Sequence, residues 1–206
     1  MVLDLHEWGM PWPQRVRGQL RVWPQALSTY VTALDVAGRH RWGPIAPCSR
    51  IEVELDQPAL RWQGHAYLDS NEGDEPLAVP FKSWDWSRGT LRDGSSAVVY
   101  DVRAKAGPDH VIAQRFFPKG GCEPFEAPAR QVLPRSAWRV QRHSRNEGTP
   151  ARVTQTLEDT PFYVRSVLSS GLLGERVQSV HESLDVARLD ARSTRLMLPW
   201  RMPRRA

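Results

Sequence analysis

Apolar and polar positions alternate along most of this chain, with a period of two residues rather than 3.6. Arg50-Ile51-Glu52-Val53-Glu54-Leu55 sends Ile51, Val53 and Leu55 to one side and its charges to the other, as a strand with one buried face does. Leu60-Arg61-Trp62-Gln63 repeats the pattern, and Gly64-His65-Ala66-Tyr67-Leu68-Asp69 extends it with a change of chemistry. Residues 97–102 and 111–116 read as a hairpin across the turn Gly107-Pro108-Asp109. Further strands are predicted at 138–141, 152–157, 162–168 and 176–184. Strands at this close spacing, with turn signals between them, predict an all-β, antiparallel barrel or sandwich. Periodicity does not choose between the two.

The stretch from Asn71 to Arg88 breaks the alternation. Asn71-Glu72-Gly73-Asp74-Glu75-Pro76 is acidic and turn-rich, and Phe81-Lys82-Ser83-Trp84-Asp85-Trp86-Ser87-Arg88 follows it. A loose boundary is expected near residue 90, with a partial β unit over 1–90 and a fuller one over 91–206. No internal repeat is visible.

Composition narrows the class. Hydrophobic residues make up 40% and charged residues 25%, as in a globular protein. Seventeen prolines and fourteen glycines spread along the chain argue against long helices. The net charge of +5 is arginine-driven, since lysine occurs only at 82, 105 and 119. The arginines are scattered except in the tail Arg192, Arg195, Arg201, Arg204 and Arg205, which has no acid after Asp190. That tail reads either as solvated or as a contact with an anionic membrane surface. A nucleic-acid partner would rest on charge alone, with no recognition motif behind it, and is not expected. The amino terminus carries acids where a signal peptide needs basic residues. No apolar run approaches the roughly 20 residues of a membrane helix. The expectation is a cytoplasmic protein, at most peripheral on the inner face of the membrane.

The common catalytic chemistries find no support. The run from Asp69 to Glu75 invites a calcium-loop reading, but an EF-hand needs Gly sixth and Glu twelfth. Here Gly73 is fifth and Pro80 twelfth, which leaves an acidic turn. The six histidines (6, 40, 65, 110, 143 and 181) never fall at zinc-ligand spacing. Cys48 and Cys122 have no cysteine partner nearby in sequence, and no nucleophile elbow or nucleotide-binding glycine pattern occurs. What remains is a shared spacing: His40 and Trp42 are two apart, as are His65, Tyr67 and Asp69. On strands, each set shares one face. Spacing alone equally allows Trp42 and Tyr67 to be core aromatics and Asp69 to open a turn.

The residues themselves add a resemblance. Gly38-Arg39-His40-Arg41-Trp42-Gly43-Pro44-Ile45-Ala46-Pro47-Cys48, the block from Gly64 to Leu77, and Trp84-Asp85-Trp86-Ser87-Arg88 resemble the carotenoid 1,2-hydratases, or hydroxyneurosporene synthases. The close, Leu198-Pro199-Trp200-Arg201-Met202-Pro203-Arg204-Arg205, looks like that family's carboxyl end, so the likeness runs from about residue 12 onward. The resemblance implies lipocalin-like β-barrels and a cofactor-independent, metal-free enzyme acting on an acyclic carotenoid. It would hydrate the terminal 1,2 double bond of neurosporene, lycopene or a relative to a tertiary alcohol. The matching catalytic positions are His40, Trp42, Tyr67 and Asp69, with Asp69 as proton donor; Trp84, Trp86 and His65 are expected to contact substrate. In this expectation Asp69 protonates C2 and the Trp42 and Tyr67 rings hold a cation at C1, worth about 2 kcal/mol each when dry. His40 then orients the water or accepts its proton as the C–O bond forms. Family members carry a further upstream segment, which implies that the first β unit here is incomplete. The competing expectations are a non-catalytic lipocalin-like carrier of an apolar isoprenoid, and an enzyme that isomerises or cyclises a different apolar substrate.

Overall fold

The protein is described by a computed structural model over residues 1–9 and 13–201. Two antiparallel sheets carry the fold. The first contains β1 (Val2–Gly9), β2 (Gln14–Pro24), β3 (Thr32–Ala33), β4 (His40–Gln57) and β5 (Ala59–Gly73). Its order is β1-β2-β4-β3, and β5 lies along the other edge of β4. At 18 residues β4 is long enough to take β3 against Arg41 and Trp42 and β2 against residues 49–57 on one edge. Pro44 and Pro47 sit inside it. Neither can donate to the ladder, and the β4–β5 register shifts between Pro44 and Ala46 and again between Ala46 and Ser49.

The second sheet contains β6 (Phe81–Thr90), β7 (Ser96–Ala104), β8 (His110–Phe116) and β9 (Cys122–Pro124), and takes β12 (Arg152–Asp159), β13 (Tyr163–Leu172) and β14 (Glu175–Asp185) from further along the chain. Its order is β12-β13-β14-β6-β7-β8-β9. The separate pair β10 (Arg130–Leu133) and β11 (Arg142–Arg145) packs against the outer face of β6. Two short helices follow, α1 (Val186–Asp190) and α2 (Arg192–Arg201). Among the described residues neither sheet closes on itself, and no helix is long and apolar enough to cross a membrane.

The sheets face each other over one apolar cluster. Trp42 and Cys48 of the first sheet meet Phe81, Trp86, Val98, Tyr100, Val102, Ile112 and Phe116 of the second. Side-chain bonds stitch the same faces: Ser96 Oγ donates to the Pro47 carbonyl at 2.6 Å, and Cys48 Sγ to the Phe116 carbonyl at 3.3 Å. Each fully buried aromatic contributes on the order of 2–3 kcal/mol through burial. The expected division near residue 90 falls in the β6–β7 hairpin, with both strands hydrogen-bonded in the second sheet.

Two expectations need correction. Residues 138–141 are not a strand. Arg139 has φ of 61° and Trp138 is exposed, because a tight turn closes here: the Val140 N–H donates to the Ser136 hydroxyl and the Arg139 N–H to the Ser136 carbonyl. Pairing starts instead at Arg142. The turn-rich segment is also displaced from 71–76: β5 runs on to Gly73 and β6 begins at Phe81, which leaves 74–80 as the connection. Of the arginine tail, Arg192 and Arg195 lie on α2 with Arg201 at its end, while Arg204, Arg205, Met202 and Pro203 fall outside the described residues.

Candidate active site

The β4–β5 register builds the site. Trp42 pairs with Asn71, Pro44 with Asp69 and His40 with Gly73, so His40, Trp42, Tyr67, Asp69 and Asn71 share the face turned toward the second sheet. Asp69 is thus the diagonal neighbour of Trp42, a spacing of roughly 7–8 Å that a long aromatic side chain spans. The indole Nε1–H donates to Asp69 Oδ2 at 2.8 Å.

Around this pair stands an array of rings. Trp42 is fully buried, edge-on to Tyr30, Tyr100 and Phe116 at centroid distances of 6.1, 5.7 and 6.3 Å. Tyr67 lies 5.4 Å from Trp86, Trp84 lies 6.0 Å from Tyr100, and Phe81 joins Trp84 at 5.9 Å. Trp84 and Trp86 reach the array because they alternate with Asp85 along β6 and point to the same side. The Tyr100 hydroxyl donates to Asn71 Oδ1 at 3.3 Å. Beside the array is a cavity of about 550 Å³ walled by Leu34, Val36, Val79, Phe81 and Val102, among others.

Electrostatically the site favours a neutral acid. Burial raises the Asp69 carboxyl above the usual carboxylate range, opposed by the Trp42 N–H and by the Tyr67 hydroxyl nearby. Burial, and then the Asp69 charge, also push the Tyr67 hydroxyl far up. Among the described residues that hydroxyl has no partner of hydrogen-bonding geometry; it is a buried polar group beside an acid.

The other expected residues are placed differently. His40 is buried at the end of the array against Phe81, 4.9 Å between ring centroids. Its Nε2 meets the Glu75 carbonyl at 2.9 Å. Four strand residues separate it from the position opposite Asp69, ~13 Å of rise. Gly73 opposite is required: a Cβ there would lie 2.7 Å from the His40 ring. His65 is exposed, two residues short of Tyr67. Sequence reasoning missed Arg88, which is buried with its guanidinium 5.6 Å over the Tyr67 ring and donates to Thr90 Oγ1 at 2.9 Å. Its place in the Trp-Asp-Trp-Ser-Arg block was the available signal. Asn71 carried the same signal as Tyr67 and Asp69, the two-residue spacing along β5, whereas Tyr30 and Tyr100 carried none, because only the packing of β7 and the 25–31 segment brings them in.

A second polar constellation occupies the opposite face of β6. Ser87 Oγ and His181 Nδ1 are 2.7 Å apart, His181 Nε2 and Ser183 Oγ 3.1 Å, and Ser183 donates to Asp85 Oδ1 at 2.6 Å. Burial lowers the His181 pKa to about 4 despite the Asp85 charge. Asp85 is raised by its own burial, but the His143 hydrogen bonds, the His181 charge and the Ser183 hydroxyl bring it below the usual range. The chemistry resembles a serine–histidine–acid relay, yet all four side chains are buried. A substrate has no approach, and the cluster serves to satisfy polar groups under β10–β11.

Comparison with known proteins accords with this geometry. An acyclic carotenoid 1,2-hydratase of Rubrivivax gelatinosus is 62% identical over 207 residues, covering all of this chain and 51% of that protein. One from Thiocapsa roseopersicina is 48% identical over 99% of this chain and 51% of its own length. One from Cereibacter sphaeroides is 34% identical over 92% of this chain and 68% of its own. The chain spans about half the length of the first two. The solved structure of a putative AttH from Nitrosomonas europaea superposes with a TM-score of 0.55 at 15% identity, over 84% of this chain and 64% of that one, which supports the shared lipocalin-like β fold. The family model described as carotenoid hydratase CrtC matches residues 1–206, and the chain belongs to the carotenoid hydratase CrtC family.

Proposed function

We propose that this chain carries the acid-catalysis site of a carotenoid 1,2-hydratase, adding water across the terminal double bond of an acyclic carotenoid. The observation that carries the reading is Asp69: a carboxyl held toward its neutral form by burial, gripped through one oxygen by an indole N–H, within a box of aromatic rings. An isolated trisubstituted alkene is a very weak base. Its protonation needs a neutral acid, and the tertiary cation that follows needs electron-rich surfaces in a dry site.

Asp69 donates its proton to C2, and the Trp42 N–H stabilises the carboxylate left behind. The positive charge at C1 is held against ring faces of the array, with Trp42 and Tyr67 beside Asp69. Water then bonds to C1 and its surplus proton returns to Asp69, so alkene and water give the tertiary alcohol with the acid regenerated. We assign the hold on that water to the unpartnered Tyr67 hydroxyl beside Asp69. His40 lies two strand positions beyond Trp42 with its Nε2 already engaged, and closes the end of the array. The apolar cavity next to Phe81 is the route by which a polyene reaches the rings. Its rim carries Val36, 86% exposed, and Val79, 55% exposed, which suits transient contact with the bilayer where such a substrate dissolves.

The test is expression in cells that accumulate lycopene or neurosporene, of the chain alone and of the chain joined to the half of the Rubrivivax relative that it does not cover. Pigments are separated and weighed for the gain of one water. Product that vanishes with Asp69→Asn in a folded protein supports the assignment. Unchanged turnover in that variant removes Asp69 from the mechanism. Substrate recovered intact from both folded forms would favour a carrier.

A further inference from the structure

Asp35, His40 and Glu75 form a cluster with no task in the hydration chemistry above. One ligand-type atom from each lies within 4.8 Å of the others. His40 is 1% exposed. A backbone carbonyl can only accept, so the 2.9 Å contact between Nε2 and the Glu75 carbonyl places the ring proton on Nε2. Nδ1 then presents a lone pair, and among the described residues it has no partner. Asp35 Oδ1 accepts the His40 backbone N–H at 2.9 Å, while its buried Oδ2 has no partner among the described residues either. The Asp35 side chain is 7% exposed and its Oδ1 stands 3.9 Å from Nδ1.

That separation is too long for a hydrogen bond. It is close enough that a small side-chain rotation brings both groups onto one ion at about 2.0–2.2 Å from each. A histidine that donates one ring N–H to a carbonyl and leaves the other nitrogen bare is oriented as metal-binding histidines are. Glu75 completes the set. Its Oε2 pairs with Arg39 at 2.6 Å, which leaves the other oxygen unengaged by that bridge. Two carboxylates and one guanidinium carry a net charge of −1, so a divalent cation finds a compensating field. The geometry points to a divalent transition-metal site formed by the Asp35 carboxylate, the His40 imidazole and the Glu75 carboxylate. One imidazole with two carboxylates suits zinc or manganese better than magnesium. The cavity beside the array is lined by both Asp35 and Glu75; it gives the ion an entry path and room for water at the remaining positions. The ligands come from the turn before β4, the first residue of β4 and the 74–80 connection, so an ion there braces the wall of the cavity and the seat of His40. This inference does not depend on the hydration reading.

The experiment uses tag-free full chain stripped with chelator and titrated with Zn²⁺ and with Mn²⁺ by calorimetry, with Tm read in parallel. The expected result is one ion per chain and a Tm that rises with ion concentration. Asp35→Asn keeps a carbonyl oxygen for the His40 N–H and removes the anionic ligand. Affinity should fall by about 100-fold or more in this variant, and the Tm response should disappear. Glu75→Gln, further from the core, should weaken binding in the same direction and decides the matter if Asp35→Asn fails to fold by circular dichroism. Failure to bind a stoichiometric ion, or binding retained equally in both variants, overturns the proposal.

Discussion

Trp42→Phe isolates the contact on which the chemistry of Asp69 depends. Phenylalanine keeps a ring in the array but deletes the N–H that reaches Asp69 Oδ2 at 2.8 Å. A hydrogen bond to an ionised group contributes about 1.5–3 kcal/mol. Loss of this bond should therefore raise the Asp69 pKa further above the usual carboxylate range. Asp69 is only half-buried, and solvent screening favours the lower end of that energy range. The assay is carbon-13 NMR of the Asp69 carboxyl in labelled protein, titrated across pH, which reads the group whether or not substrate turns over. Because the acid works protonated, the alkaline limb of any pH–rate profile should move upward by the same amount. Trp42 is also fully buried, and the smaller ring should cost about 1–2 kcal/mol of stability, measured separately by denaturant unfolding. A Tyr100→Phe control removes only the hydroxyl bonded to Asn71 and should leave the Asp69 titration in place. An Asp69 pKa that stays put or falls in Trp42→Phe would refute the argument that the indole holds the carboxylate.

Three further outcomes follow from the same geometry. Asp69→Asn should abolish hydration yet stabilise the fold at neutral pH. The raised folded pKa means the native state holds its proton more tightly than the unfolded chain, so stability present below the unfolded carboxylate pKa is lost as pH rises through the folded value; equal Tm values at pH 7 would contradict this. His181 works with the opposite sign. Its folded pKa of about 4 lies below the ordinary 6.5, so the unfolded chain takes up the proton first and stability falls as pH drops from 6.5 toward 4, by about 3 kcal/mol. Asp85, depressed in the fold, adds a further loss at still lower pH. His181→Gln should flatten the 4–6.5 segment of a Tm-against-pH curve, and an unchanged slope there would exclude His181 as its origin. Gly73→Ala should force the His40 ring from its place, since the new methyl would meet it at 2.7 Å. A cost of about 1–3 kcal/mol is expected, and unaltered stability would show that the ring has room to move.

Much of this protein is legible in its residues. Strict alternation over 50–55 fixes strand character because side chains on a strand switch sides at every residue, and the short apolar run 97–102 reads as a strand buried on both faces. The two-residue spacings of His40 with Trp42 and of Tyr67 with Asp69 determine that each pair shares a face, whatever the strands pair with. The blocks around His40, Asp69 and Trp86 carry the family likeness. Register lies beyond that reach. The diagonal that puts the Trp42 indole on Asp69 follows from how β5 pairs with β4 around two prolines, and a shift of one residue would turn either set of side chains to the other face. The strand expected at 138–141 failed because a left-handed residue at Arg139 and the Ser136 hydroxyl close a turn that alternation does not encode. Arg88 over Tyr67, the buried Ser87–His181–Ser183–Asp85 chain, and the meeting of Asp35, His40 and Glu75 all join residues far apart in sequence. Such contacts are decided when whole sheets pack, since burying one face selects among pairings that local pattern leaves equal.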